Sequence, residues 1–296
     1  MPTVLVLAGP TASGKTDLAL RLARRFDAEI VGADSRQIYR GMPVGTAAPS
    51  PEQLRAVPHH LIGFLDPHQR YSAAQFSSDA VDAVQAIHAR GKHAIVAGGT
   101  GFYIRALTGA VELARQYDES VRARLAHEAR IHDAPFLYEW LTVRDPRRAA
   151  ALGAGDVYRI LRALEVALAQ GQTIRSEPHR SLATAGIPFA KVFLTLDDDE
   201  LQRRIERRTD AMLEGGLLEE AERIRRDAVA ANAVGYPQAL AFLSGWCTFG
   251  ELRRLLVQAT RRYARRQIAW FRNEPETRHL QASGIEELAR EILRPL

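Results

Sequence analysis

Gly9-Pro10-Thr11-Ala12-Ser13-Gly14-Lys15-Thr16 matches G-x-x-x-x-G-K-[ST], a spacing in which each part has work to do on a phosphate. The glycines let backbone N–H groups turn inward, and a helix beginning at the loop adds partial positive charge. Lys15 supplies a full charge, and the Thr16 hydroxyl is a ligand type for Mg²⁺. Two further stretches carry chemistry: Asp34-Ser35-Arg36-Gln37, which offers a carboxylate, and Gly98-Gly99-Thr100-Gly101, a second flexible turn. The loop implies that a phosphorylated group binds. By itself it does not say which one, or whether that group belongs to the nucleophile or to the leaving group.

The elements around these residues read as a parallel α/β sheet. Val4-Leu5-Val6-Leu7 is a buried strand feeding the loop, and Leu18, Ala19, Leu22, Ala23 and Phe26 recur at helical spacing after it. Ala28 to Ala33 is a second strand, so Asp34 follows at its carboxyl end, where open α/β sheets place ligands. Gly41 to Pro49 is rich in turn formers, His60 to Leu65 is a short strand candidate, and Ser72 caps a helix from Ala73 to about Arg90. His93 to Ala97 is another strand, followed by a helix through Phe102 and Leu107.

From about Val111 to Gly171 the signals are helical. Asp118, Pro135 and Asp156 each open a helix, and Arg159 and Arg162 lie on the polar face of the third. Strand chemistry returns at Phe189 to Leu196. A long helix follows Asp197-Asp198-Asp199, basic early (Arg203, Arg204, Arg207, Arg208) and acidic around Glu219, Glu220 and Glu222. Glu251 to Arg272 reads as one helix with seven arginines against one acid. Residues 1–110 therefore form the first part of an α/β core, 111–175 an all-helical insertion, and 176–296 the remainder of the core with basic C-terminal helices.

A single cysteine, Cys247, excludes a disulfide framework and a Cys-based zinc site within the chain. The nine histidines have no metal-ligand spacing; His59-His60 is the one adjacent pair. The N-terminus shows no cationic leader or cleavage site, and no apolar run nears the ~20 residues of a membrane span. The expectation is a cytoplasmic monomer without a membrane partner. After Ile95-Val96-Ala97 the chain has Gly98-Gly99-Thr100, where hydrolytic phosphate-loop enzymes need a strand ending in an acidic metal ligand. That argues against a motor or GTPase and, less strongly, against a kinase. Asp34 reads either as a catalytic carboxylate or as a helix cap.

GPTASGKT, ADSRQIYRGMPVGTA, YSAAQF, GGTGFYIRAL, RILRALEV and TRRYARRQIAWFR, in that order along nearly the whole chain, resemble the successive motifs of the bacterial tRNA dimethylallyltransferases. The resemblance implies a fold like that of the P-loop nucleoside triphosphatases, with a helical insertion. It also implies transfer of a dimethylallyl (isopentenyl) group from dimethylallyl diphosphate to N6 of the adenosine just 3′ of the tRNA anticodon. Gly9 to Thr16 would then hold the diphosphate, with Mg²⁺ on Thr16. Lys15, Thr16 and Arg208 would serve the leaving group, and Asp34 would be the general base. Asp34, Ser35, Arg36, Gln37, Thr100, Arg122 and Arg159 would contact tRNA. Arg261 and Arg265, on one stripe of the last basic helix, are read as phosphate contacts. For Arg208 and Arg159 an exposed helix charge is the competing reading. Pro237 after Gly235-Tyr236 departs from the family's basic residue there, the stretch from Val111 to Asp118 reads as shortened, and one cysteine excludes the zinc finger of eukaryotic members.

The rivals are a small-molecule enzyme (a nucleotide kinase or an adenylate isopentenyltransferase) and a non-enzymatic tRNA-binding protein. A free nucleotide would need neither the basic C-terminal helix nor the insertion. A pure binder would not need Lys15, Thr16 and Asp34 together.

Overall fold

The computed structural model describes residues 2–111, 113, 119–169, 179–225 and 228–294. Val4–Ala8 (β1) is wholly apolar and buried along its whole length, as a strand covered on both faces must be. The phosphate loop leads from it into Lys15–Arg25 (α1), which packs Leu18, Ala19, Leu22 and Ala23 inward. Ala28–Gly32 (β2) follows, then two short helices, Pro43–Thr46 (α2) and Pro51–Ala56 (α3), and the two-residue strand His59–His60 (β3). The expected strand from His60 to Leu65 does not form. Leu61 and Gly63 take positive φ values of 59° and 62°, which turn the chain away, and Leu65 makes only an isolated bridge to Tyr39. Ala73–Ala89 (α4) begins as expected, Ser72 and Gln75 capping each other's backbone N–H groups. His93–Gly98 (β4) and Gly101–Leu107 (α5) complete this half.

The residues from His179 onward return to the same compact unit as those up to Val111, and the residues between form a second unit. Its described helices are Glu119–Ile131 (α6), Ala134–Arg144 (α7), Pro146–Ala150 (α8) and Val157–Ala169 (α9). Leu125, Leu137, Leu141, Ile160 and Leu164 form its core. Asp118 and most of the stretch read as shortened lie outside the described residues.

Phe189–Leu194 (β5) leads to Asp198–Glu214 (α10). The long helix read into Glu219–Glu222 is in fact two: Gly216 adopts φ 92°, and Leu217–Ile224 (α11) starts afresh after it. A 3₁₀ turn at Val229–Asn232 precedes Tyr236–Leu243 (α12), where Pro237 sits in the first turn, the place a helix tolerates a missing N–H. Phe249–Arg272 (α13), Thr277–Leu280 (β6) and Ala282–Ile292 (α14) complete the unit. The six strands run in the order β3-β2-β4-β1-β5-β6 with every pairing parallel. The β1–β2 and β4–β5 connections leave the centre to opposite sides. The resulting crevice lies over the carboxyl ends of β1, β2 and β4, where the phosphate loop, Asp34 and the glycine-rich turn all emerge.

Candidate active site

At that edge lies a cleft of about 380 Å³, whose walls include Thr11, Asp34, Ser35, Thr100, Arg208 and Trp270. It falls within the 300–1,000 Å³ usual for a small-molecule site. The phosphate loop is shaped by Gly14 at φ 85° and Ala12 at φ 64°. Arg204 donates to the Ser13 carbonyl at 2.8 Å while held by Glu200, so of the arginines on α10 it is Arg204 that braces the loop's backbone. Arg207 is exposed. Arg208 faces the cleft, donating from Nη2 to the Thr46 carbonyl at 3.3 Å.

Asp34 and Arg208 line the cleft, and Lys15 lies close enough to feel the charge of both. Burial of the Lys15 ammonium lowers its pKa to about 8, Asp34 opposing the fall and Arg208 adding to it. Burial also lowers the pKa of Arg208, with the Asp34 carboxylate opposing the fall. Arg208 Nε and Ser13 Oγ are buried with no hydrogen-bond partner. Unpaired buried donors are costly, about 1–3 kcal/mol each and more for a charged group. Arg208 lines the cleft, so an anion bound there would offer its guanidinium a partner.

The Lys15 shift has a sign that can be tested. Between about pH 8 and the ordinary lysine value, the unfolded chain holds a proton that the folded chain has lost, so this group's contribution to stability rises with pH there. The cationic form that attracts an anion disappears as pH rises through the same point. In ¹³C NMR of labelled lysines, Lys15 should titrate near pH 8 and Lys92, held by Asp27, above the ordinary lysine value. Adding inorganic diphosphate should move the Lys15 midpoint up. A free-protein midpoint near 10 for Lys15 would show that its ammonium is hydrated.

Asp34 is set by the sheet. The Ala33 N–H donates to Ala97 at 2.8 Å, and the Thr100 N–H donates to the Ala33 carbonyl at 3.2 Å. A Cβ on Gly98 would come within 2.1 Å of that carbonyl, so the two strand ends close together only with glycine here. Thr100 Oγ1 accepts the Ser35 N–H at 2.9 Å, and one Asp34 oxygen accepts the Arg36 N–H at 2.9 Å. The other makes no hydrogen bond among the described residues and is available to a substrate proton.

Gln267, which sequence reasoning passed over, joins the two loops. Its Oε1 accepts the Thr11 N–H and its Nε2 donates to the Gly99 carbonyl, both at 2.8 Å. Gly99 again has no room for a side chain, since a Cβ would lie 2.2 Å from Gln267 Nε2. The signal was available: Thr260, Ala264, Gln267 and Phe271 follow one another at steps of four, three and four on the buried face of α13. A polar residue on that stripe needs partners. Trp270, one turn on, is covered by Arg105 at 4.4 Å.

The other expected residues fall in different surroundings. Arg36 lines the cleft, whereas Gln37 spends its amide donating to the Thr46 and Ala47 carbonyls and braces the loop they belong to. In the helical unit, Arg122 is paired to Glu165 at 2.9 Å, and Arg159 to Asp156 at 3.4 Å. Arg261, Arg265 and Arg272 are exposed along a smaller hollow of about 270 Å³ between α10 and α13, with no acidic partner among the described residues. Among the described residues no three His, Cys, Asp or Glu side chains are grouped to hold a metal. No described helix is long and apolar enough to cross a membrane.

Comparison with known proteins shows the family. The family model described as IPP transferase matches residues 37–274. The tRNA dimethylallyltransferase 2 of Geotalea uraniireducens is 43% identical over 92% of this chain and 90% of its own length. The tRNA dimethylallyltransferase of Anaeromyxobacter sp. is 44% identical over 99% and 97%. The crystal structure of the tRNA isopentenylpyrophosphate transferase of Bacillus halodurans superposes with a TM-score of 0.71 at 33% identity, covering 99% of this chain and 96% of that one. A eukaryotic dimethylallyltransferase acting on tRNA, 23% identical over 97% of this chain and 75% of its own, shares the fold with a TM-score of 0.75. Matched by that family model from before β3 to beyond α13, and by close relatives along nearly its whole length, the chain belongs to the IPP transferase family.

Proposed function

We propose that this chain moves a dimethylallyl group from dimethylallyl diphosphate to N6 of the adenosine 3′-adjacent to the anticodon in tRNA, releasing diphosphate. The observation that carries the reading is that Asp34 and Arg208 line one cleft within electrostatic reach of Lys15, with a buried Arg208 donor left unpaired. As the allylic C–O bond breaks, charge gathers on the departing diphosphate, and the loop N–H groups, Lys15 and Arg208 are fixed positive potential at that point. The N6 lone pair is delocalised into adenine. As the C–N bond forms, N6 becomes acidic and its proton passes to Asp34. The adenine must leave its stack to reach the carboxylate.

Mg²⁺, when bound, would neutralise charge on the diphosphate. This ion is held through one or two protein oxygens plus phosphate oxygens and water, and the Thr16 hydroxyl is an oxygen of that kind. Thr16 at the start of α1 is the residue to hold it. Ser35, Arg36 and Thr100 at the cleft are placed to meet the target nucleotide, and Gln37 to shape the loop they stand on. Arg122 and Arg159 in the helical unit, with Arg261 and Arg265 on α13, are assigned to the anticodon stem-loop's phosphates. Among the described residues the two α13 arginines have no acid partner, which favours them for this role.

The test is to incubate the protein with labelled dimethylallyl diphosphate, Mg²⁺ and either unmodified tRNA or AMP. Label in tRNA, at one adenosine beside the anticodon, is expected. Label in AMP alone would assign a free-nucleotide acceptor, and a phosphorylated product without prenylated RNA would overturn the reaction class.

A further inference from the structure

Glu220 on α11 has no solvent exposure, yet its carboxylate is met by three hydrogen-bond donors. It accepts the Val44 N–H at 2.9 Å, the Gly45 N–H at 2.7 Å and the Tyr236 hydroxyl at 2.7 Å. Val44 and Gly45 belong to the opening turn of α2, whose N–H groups have no partner within the helix. The carboxylate therefore caps a one-turn helix that could not persist alone. Tyr236 completes the arrangement. Its hydroxyl pKa is raised by burial and by the Glu220 hydrogen bond, which keeps it a donor, and its ring lies so close to Gly45 that a Cβ there would approach to 2.6 Å. Around them Ile38, Met42, Leu217, Ala221 and Leu252 form an apolar cluster that leaves the pair little room to shift.

The last residue of that turn, Thr46, links it to the cleft. Its carbonyl accepts from Arg208 at 3.3 Å and from Gln37 at 3.2 Å, and its hydroxyl donates to the Met42 carbonyl at 2.6 Å. Within the described residues, the Thr46 carbonyl is the one hydrogen-bond acceptor that holds the Arg208 guanidinium, since Nε is unpaired. If the turn drifts, so does the acceptor that aims Arg208.

We infer that Glu220 is a positioning residue for the diphosphate: by capping α2 with Tyr236, it holds the Thr46 carbonyl that orients Arg208. This rests on the proposed function only in taking Arg208 to bind diphosphate. Glu220→Gln is the sharp probe. One carboxylate oxygen becomes an NH₂ group, which must either confront a backbone N–H of the turn or surrender one of the three donors.

The experiment is calorimetric titration of inorganic diphosphate into wild type, Glu220→Gln, Arg208→Gln and the double variant, with thermal melts to verify folding. Glu220→Gln is expected to weaken binding at least tenfold. In the Arg208→Gln background it should add nothing, because the group it aims is gone. Wild-type affinity in Glu220→Gln, or two losses that multiply in the double variant, would overturn the proposal. Should Glu220→Gln not fold, Tyr236→Phe keeps the carboxylate and removes one donor. It is expected to weaken diphosphate binding two- to threefold with Arg208 present and not at all without it, and equal losses in both backgrounds would count against the linkage. Diphosphate binding needs no turnover, so failure of prenyl transfer and failure of this coupling are read from separate measurements. In active enzyme, Glu220→Gln should raise KM for the prenyl donor while tRNA affinity holds.

Discussion

Asp34→Ala is expected to lower single-turnover prenyl transfer to tRNA by about 10³-fold, near the middle of the range for loss of a general base. That corresponds to about 4 kcal/mol of transition-state stabilisation. Affinity should respond differently. Asp34 lies among Lys15 and Arg208 and offsets the positive potential each of them feels. Removing it leaves two cations facing the anion unopposed, so diphosphate should bind as tightly as before or tighter. On the proposed reading tRNA is held mainly by contacts elsewhere, so it should bind within a few-fold of wild type. A rapid-quench assay with saturating donor and tRNA, beside separate titrations of each ligand, checks all three. Near-normal transfer would remove Asp34 from the chemical step. Parallel loss of transfer and tRNA affinity would make it a binding residue instead.

Arg208→Gln is the counterpart on the leaving-group side. Losing one preorganised donor to a developing oxyanion typically slows an enzyme about 10²–10³-fold, and a buried guanidinium belongs at the upper end. Unlike Asp34→Ala, this change should weaken inorganic diphosphate as well, because the charge is felt in the ground state too. Arg207→Ala, one residue away but exposed, should leave transfer within a few-fold of wild type. Measuring kcat, KM for the donor and diphosphate affinity on the two variants separates a cleft charge from a helix surface charge. Equal effects would mean that the α10 arginines act as a diffuse field and that the orientation of Arg208 carries no weight.

These arginines show where reading residues in a line stops being informative. Arg203, Arg204, Arg207 and Arg208 are chemically identical and follow one another within two helical turns. In the folded chain, Arg204 is bound to the Ser13 carbonyl, Arg203 and Arg207 are exposed around Glu200, and Arg208 is desolvated beside Asp34 and Lys15. Helical phase against a neighbouring loop makes the difference, and that neighbour lies nearly two hundred residues away in the chain. Gln267 does the same, since its two partners, Thr11 and Gly99, lie in the loops after β1 and β4, far before it in the chain.

Much was legible from local chemistry. The phosphate loop, the strands β1, β2 and β4, the capped helix at Ser72 and the helical character of residues 119–169 follow from spacing, apolar runs and caps, all of which act over a few residues. The order of motifs pointed to the family. What failed locally was subtle: the strand expected after His60 was turned aside by residues at positive φ, and one expected helix was cut at Gly216. The strand β6 escaped notice because its four residues, Thr277–Leu280, include a charged and an imidazole side chain at an edge.

The sequence alone determined which groups are available: a phosphate-cradling loop, a carboxylate after a strand, an excess of arginine on α13. Tertiary structure decided which of them share one desolvated space, because interaction between charges depends on distance and on exclusion of water, neither of which is written in the order of residues. Glu220 is the plainest instance. In the sequence it is one of three glutamates within four residues, and only the packing of α11 against the α2 turn and Tyr236 makes it the carboxylate that fixes an arginine it never touches.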